Sequence, residues 1–305
     1  MRSPGKHESF CEMKFVQTLI LALSFSLTTC QPAEWTPVAG GQLTVQQSAN
    51  SPFPHSRRNA GHTYSDSLYR FEEHYNDSSV AIFVPDHFIP GKTIDLVFYF
   101  HGWGNSIQKS LENFDLLNQF SASHKNAIFV FPEGPKNAPD SFGGKLEEKD
   151  VFKALVGDVL NFLKHEKKID TTTPGKIILS GHSGAYRVIS FILNRGGLSD
   201  QISEVYLFDA LYAGEAKYAH WLTQYQGRFV NIVTPDGGTY GESENFLNNL
   251  EDWGVPFQRY DKNDVSLSEL RQEKVVTIFT SLGHSEVIDP YFGWCLKTSA
   301  LTNSD

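Results

Sequence analysis

Lys176-Ile177-Ile178-Leu179-Ser180-Gly181-His182-Ser183-Gly184-Ala185 places a serine at the end of an aliphatic run with small residues on both sides. A strand that stops at Gly-x-Ser-x-small is forced into a sharp turn, and the turn lifts the hydroxyl clear of the sheet. Ser183 is therefore the candidate nucleophile. A serine hydroxyl attacks poorly at neutral pH and needs a base to take its proton. His284, in Ser281-Leu282-Gly283-His284-Ser285 after the apolar run Val275 to Phe279, is the candidate base, because an imidazole titrates near working pH. A carboxylate must orient that imidazole and stabilise its cation. Asp209 ends the run Glu204 to Phe208, and Asp236 follows Phe229 to Pro235. Both are carried forward, with a lean to Asp209 because it closes its strand without intervening residues.

A further apolar run, Leu96 to Phe100, leads into His101-Gly102-Trp103-Gly104. Such a turn can aim backbone N–H groups at a developing oxyanion, so the N–H groups of Trp103 and Gly184 are the expected oxyanion donors. Trp103 either lines the pocket or packs at its edge, and His101 is expected to brace the turn. His182 and Arg187 flank the serine and are candidate substrate contacts; an ion pair with a nearby acid is the other role open to Arg187. The polar, glycine-rich loop from Pro132 to Lys145 is expected to border the same cleft, as a binding loop or a plain connection.

These candidates need a common edge to meet on. Apolar runs at Val80–Val84, Ile94–Phe100, Ala127–Phe131, Ile177–Leu179, Val205–Phe208, Phe229–Val233 and Val275–Phe279 alternate with helical patterns. Helices are expected at Ser106–Phe120, along the stripe Val151 to Leu163, at Tyr186–Asn194, at Asn245–Trp253 and near Tyr291–Leu301. The alternation predicts an α/β fold with a mostly parallel sheet of about seven or eight strands, covered by helices on both faces. Only one helix fits between Val205 and Phe229, so no large cap domain is expected.

The histidine and serine motifs, with an aspartate between Ser183 and His284, resemble those of the α/β-hydrolases, over about Val80 to His284. Ala185 stands where that superfamily usually has glycine. The resemblance implies ester hydrolysis through an acyl-enzyme, by a serine esterase or lipase-like protein without a cofactor. It also bears on the acid, which in most members follows the later strand, favouring Asp236, and in some lipases the earlier one, favouring Asp209. The same triad serves peptidases and amidases, and the fold also carries binding proteins without catalysis.

The chain has 305 residues, 40% hydrophobic, with net charge -9 and three cysteines, Cys11, Cys30 and Cys295. The hydrophobic content supports a packed core. The acidic balance, with no basic run, argues against nucleic-acid partners, and three scattered cysteines build neither a disulfide framework nor a metal knuckle. Residues 1–30 read as an export signal whose start is Met13. The apolar stretch Phe15 to Leu27 is too short for a relaxed membrane span. Leu27-Thr28-Thr29-Cys30 resembles a bacterial lipoprotein cleavage site, which implies lipidation of Cys30 and a membrane-anchored cell-envelope protein; a plain secreted product is the alternative. Residues 31–51 are expected to be a flexible tether, and residues 52–305 a single domain.

Overall fold

The computed structural model describes residues 33–225, 227–263 and 265–304. The expected signal segment, the start at Met13 and the lipidation site Cys30 lie outside the described residues. Among those described, no helix is long and apolar enough to cross a membrane.

The described residues form twelve strands: β1 (Thr36–Val38), β2 (Gly41–Gln47), β3 (His62–Tyr64), β4 (Ser67–Tyr69), β5 (Ser79–Pro85), β6 (Ile94–Phe100), β7 (Ile128–Pro132), β8 (Pro174–His182), β9 (Ile202–Phe208), β10 (Arg228–Val233), β11 (Gln258–Tyr260) and β12 (Val275–Phe279). Ten of them form one sheet in the order β1-β2-β5-β7-β6-β8-β9-β10-β12-β11, and β3 pairs only with β4. From β7 to β11 all neighbours run parallel; the β1, β2 and β5 end is antiparallel.

The central strands read as continuous apolar runs because both of their faces are buried. Along β6, Leu96, Phe98 and Phe100 enter one core, which includes Phe152, Leu160, Ile189 and Trp221. The alternate residues Val97 and Tyr99 enter the other, with Phe120, Tyr291 and Phe292. Helices α4 (Val151–His165), α5 (Tyr186–Arg195), α6 (Glu215–Tyr225) and α7 (Tyr240–Asp252) supply the first core. Helices α2 (Ile107–Asn113), α3 (Leu116–Ser121), α8 (Leu267–Gln272) and α9 (Ile288–Lys297) supply the second. Layered helices on both faces and a lone helix α6 between β9 and β10 match the sequence-based expectation.

Three features differ from it. Residues 31–51 are not a tether throughout, because Gly41–Gln47 pairs with Pro85–Ser79 over the whole of β2. This strand lacks an apolar stripe: Thr44 is buried while Val45 is 51% exposed, so its alternation is inverted. The domain thus begins before residue 52 and carries more strands than counted. Second, the helix expected over Ser106–Phe120 is two helices, because Asp115 adopts φ 50° between α2 and α3. The apolar residues Leu111, Phe114 and Leu117 keep helical spacing across that break, which hides it. Third, the segment between β2 and β5 holds the β3–β4 hairpin and a short helix α1 (Phe71–His74). Its Phe53 and Tyr75 pack with Ala138 and Phe142 of the loop after β7.

Candidate active site

Strand β8 ends at His182, and Ser183 follows with φ 54°, the left-handed region. Strain of this kind in a non-glycine residue persists only where the surroundings enforce it. They do so here. A Cβ at Gly181 would lie 2.6 Å from the Cβ of Ala185 and 2.8 Å from Ile189 Cδ1. Strand and helix therefore approach too closely for any side chain at 181, whereas the methyl of Ala185 fits. A Cβ at Gly102 would lie 2.6 Å from Ser183 Cβ, so the turn after β6 runs directly against the serine. A Cβ at Gly184 would lie 2.7 Å from Trp103 Cδ1 and 2.8 Å from Ser141 Oγ. The backbone of Gly184 and the residue Trp103 are thus brought together at Ser183. His101 braces this turn, as its position suggests: Nδ1 donates to the Gly102 carbonyl at 2.7 Å, and Nε2 accepts the Gly134 N–H at 3.1 Å and lies 2.9 Å from Glu133 Oε1, with His101 and Glu133 both buried.

His284 Nδ1 donates to Asp209 Oδ2 at 2.6 Å. Asp209 follows β9 with φ 46° and is fully buried. Its carboxylate also accepts the Thr234 N–H at 3.4 Å and the hydroxyls of Thr234 and Thr239. Burial alone would raise its pKa; the hydrogen bonds from His284, Thr234 and Thr239, with the charge of His284, outweigh burial and hold it below the usual carboxylate range. Asp236 is exposed in the turn before α7. Of the two aspartates, the structure brings Asp209 to His284. β9 and β10 are hydrogen-bonded neighbours, and the Asp209 N–H extends their ladder to Ile232 at 2.8 Å. The carboxylate therefore stays next to the strand end that supplies Thr234.

The clamp leaves no room beside it. A Cβ at Gly237 would lie 1.4 Å from Asp209 Oδ2. We predict that Gly237→Ala displaces the carboxylate from His284 and lowers kcat at least about 100-fold with a smaller change in KM, the pattern of a lost transition-state interaction. Steady-state kinetics on a soluble ester checks this, and a wild-type kcat would refute it.

The two candidate substrate contacts are engaged elsewhere. His182 is buried, and its Nε2 donates to the backbone carbonyl of His284 at 2.9 Å with the two rings 4.5 Å apart. Burial, then the neighbouring His284, push its pKa down to about 4, so it stays neutral near pH 7. It ties the serine turn to the His284 loop. Arg187 forms a two-pronged pair with Glu147, at 2.5 and 2.9 Å, and Glu147 in turn accepts the Gly143 N–H at 2.8 Å. The guanidinium is spent on holding the loop after β7, which is the ion-pair role rather than substrate contact. Neither residue lines the cavity of about 170 Å³ beside Ser183, which is bounded by Trp103, Ser141, Ser183, Gly184, Tyr186 and Tyr212.

Thr234, Thr239, Gly237 and Ser141 were not legible as site residues. Threonines and glycines at strand ends and turns are ubiquitous, and only the approach of β9 to β10 gives these a role. Ser141 accepts from Trp103 Nε1 at 2.7 Å, so the loop Pro132 to Lys145 does border the cleft.

No family model matches the chain, and no curated protein does. Solved structures do match. A mutant of the feruloyl esterase module from Clostridium thermocellum, complexed with sinapinate, aligns with TM-score 0.50 and 11% identity, covering 87% of this chain and 95% of that one. The chain has the α/β-hydrolase fold. Two other hydrolases of this fold align more loosely. A ferulic acid esterase gives TM-score 0.49 at 14% identity, covering 72% of this chain and 90% of its own. The substrate-bound fluorophosphonate-binding serine hydrolase F of Staphylococcus aureus gives 0.48 at 10%, covering 88% and 99%. Within the α/β-hydrolase fold the nucleophile, acid and histidine follow strands in that chain order. Ser183, Asp209 and His284 stand after β8, β9 and β12, with Asp209 on the earlier of the two strands that carry a candidate acid.

Proposed function

We propose that the protein is a serine hydrolase that cleaves carboxylic esters through an acyl-enzyme on Ser183. The observation that carries this reading is the His284–Asp209 pair at 2.6 Å, joined through His182 to the turn that holds Ser183 in the left-handed region. Ser183 Oγ attacks the ester carbonyl carbon as its proton passes to His284 Nε2. The carbonyl oxygen becomes an oxyanion, held by the N–H groups of Gly184 and Trp103. Each such donor contributes about 3 kcal/mol to the transition state. The C–O bond to the alcohol then breaks, and the imidazolium returns the proton to the departing oxygen. Water attacks the acyl-enzyme with His284 as base, the Ser183–acyl bond breaks, the acid leaves and Ser183 regains its proton. Asp209 stays ionised throughout and holds Nδ1 protonated, so that Nε2 is the basic nitrogen.

A fluorophosphonate probe is expected to label the folded protein stoichiometrically, with the adduct on the peptide that contains Ser183. Folded protein that resists the probe would remove the reading. We also propose that Cys30 anchors the protein to the cell envelope; Triton X-114 partitioning should send the wild type to the detergent phase and Cys30→Ala to the aqueous one, and identical partitioning would exclude the anchor.

A further inference from the structure

The cavity beside Ser183 is walled by aromatic rings. Trp103, Tyr186 and Tyr212 line it, the last two with ring centroids 5.8 Å apart. Two of these rings are held in place by hydrogen bonds. Trp103 is tied to Ser141 by its indole N–H at 2.7 Å and pressed on the Gly184 backbone. The Tyr212 hydroxyl donates to the Gly237 carbonyl, which belongs to the turn that clamps Asp209. The outer side of Trp103 meets Tyr64 of the β3–β4 hairpin edge-on, at 5.2 Å and 72°. Tyr64 and Trp103 are each 43% exposed, so the ring pair that backs the Trp103 wall stands at the protein surface.

The slot beside Ser183 has a volume of about 170 Å³ and is open to solvent on one side. An apolar cavity of roughly 150 Å³ in a protein holds one benzene ring. Flat aromatic walls favour a planar guest, since stacked or edge-on ring pairs contribute about 0.5–1.5 kcal/mol beyond their buried area. An extended chain of eight carbons gains none of these ring-to-ring contacts.

Resting on the hydrolase reading above, we propose that the slot takes a single ring-sized planar group of the ester, and that Tyr64 is a specificity-determining residue because it sets the position of the Trp103 wall. The ring can arrive on the acid or on the alcohol side of the ester. Extended chains, which gain no such ring contacts, are discriminated against.

The test compares wild type, Tyr64→Ala and Tyr64→Phe on benzyl acetate, methyl phenylacetate, octyl acetate and ethyl octanoate, with acid release followed by pH-stat. None of these esters has an activated leaving group, and each kcat/KM is divided by that ester's own hydroxide hydrolysis rate so that intrinsic reactivity cancels. Wild type should favour at least one ring ester over its chain counterpart by tenfold or more in kcat/KM. Preference for benzyl acetate over octyl acetate places the ring on the alcohol side, and preference for methyl phenylacetate over ethyl octanoate places it on the acid side. Tyr64→Ala should lower that ratio about fivefold, and Tyr64→Phe should keep it, because only the ring is used. A wild-type preference for the octyl or octanoyl ester, or a ratio unmoved in Tyr64→Ala, would overturn the proposal. A second measurement needs no turnover. Saturation-transfer NMR of benzyl acetate on Ser183→Ala protein should show strong transfer to the ring protons, weakened when Tyr64→Ala is added. Ring binding without hydrolysis by wild type would sink the esterase reading and keep the slot; hydrolysis without ring binding or ring preference would do the reverse.

Discussion

Ser183→Ala is expected to lower kcat on a soluble ester by roughly 10⁴-fold or more, a loss of about 5.4 kcal/mol of transition-state stabilisation at 1.36 kcal/mol per tenfold. The residual rate would come from binding and the oxyanion donors alone. The same position makes a second, opposite demand on stability. Ser183 sits at φ 54°, where an L side chain is strained and glycine is not. Ser183→Gly should therefore be as inactive as the alanine variant and more stable than it, by about 1 kcal/mol. Equilibrium urea unfolding of the two variants, alongside ester turnover, checks both halves. If the glycine variant were no more stable than the alanine variant, the turn would not be a strained one. If either variant kept more than about a hundredth of wild-type kcat, Ser183 would not be the nucleophile.

Asp209→Asn should lower kcat about 10⁴-fold while Asp236→Asn stays within about twofold of wild type. The asparagine keeps the shape of the carboxylate but offers an N–H where His284 Nδ1 needs an acceptor, so the imidazole loses its working tautomer. Asp236 is exposed and bears on nothing in the His284 pair. Equal losses, or the reverse order, would return the acid to Asp236. The same carboxylate predicts acid lability. Its folded pKa lies below the ordinary value, so it contributes stability at pH values above the unfolded pKa of about 3.9, and that contribution is lost as pH falls through the lower folded value. His182 acts in the same direction at higher pH. Its folded pKa is about 4 against an unfolded value near 6.5, so between those values only the unfolded chain takes up the proton. Each pH unit of that window costs the folded state at most about 1.4 kcal/mol. Melting temperatures of the wild type should thus fall steadily from about pH 6.5 downwards. His182→Gln, which retains a donor for the His284 carbonyl, should flatten the pH 6.5 to 4 part of that decline. An unchanged slope in this variant would assign the acid lability elsewhere.

The expected strands and helices that carry the site were legible because each is buried on a regular period. Runs such as Leu96 to Phe100 and Ile177 to Leu179 are apolar on successive residues, as strands packed on both faces must be. The α4 stripe from Phe152 to Leu163 has the same clarity, since only one of its faces is buried. Elements with mixed surroundings were not legible. β2 pairs along its whole length yet turns Val45 to solvent and buries Thr44, so its stabilisation comes from backbone bonds to β5, which no side-chain pattern reports. The hairpin β3–β4 pairs with no other strand, so it carries no periodic signal either.

What the sequence determined by itself was the set of candidate reacting groups and the sheet edge on which they stand. A serine between glycines after an aliphatic strand, and a histidine after the last strand, are local statements, because the turn and its crowding arise within a few residues. What only the tertiary structure decided was which carboxylate meets the histidine, and what shapes the slot. Asp209 and Asp236 end neighbouring strands and look alike along the chain; the choice falls to Asp209 because Thr234, Thr239 and the bare backbone of Gly237 close around one carboxylate and leave the other in water. Likewise Tyr64 lies far from Trp103 in sequence, and their contact exists only because the segment between β2 and β5 folds back over the loop after β7. Such contacts join positions with no shared period, so packing alone can specify them.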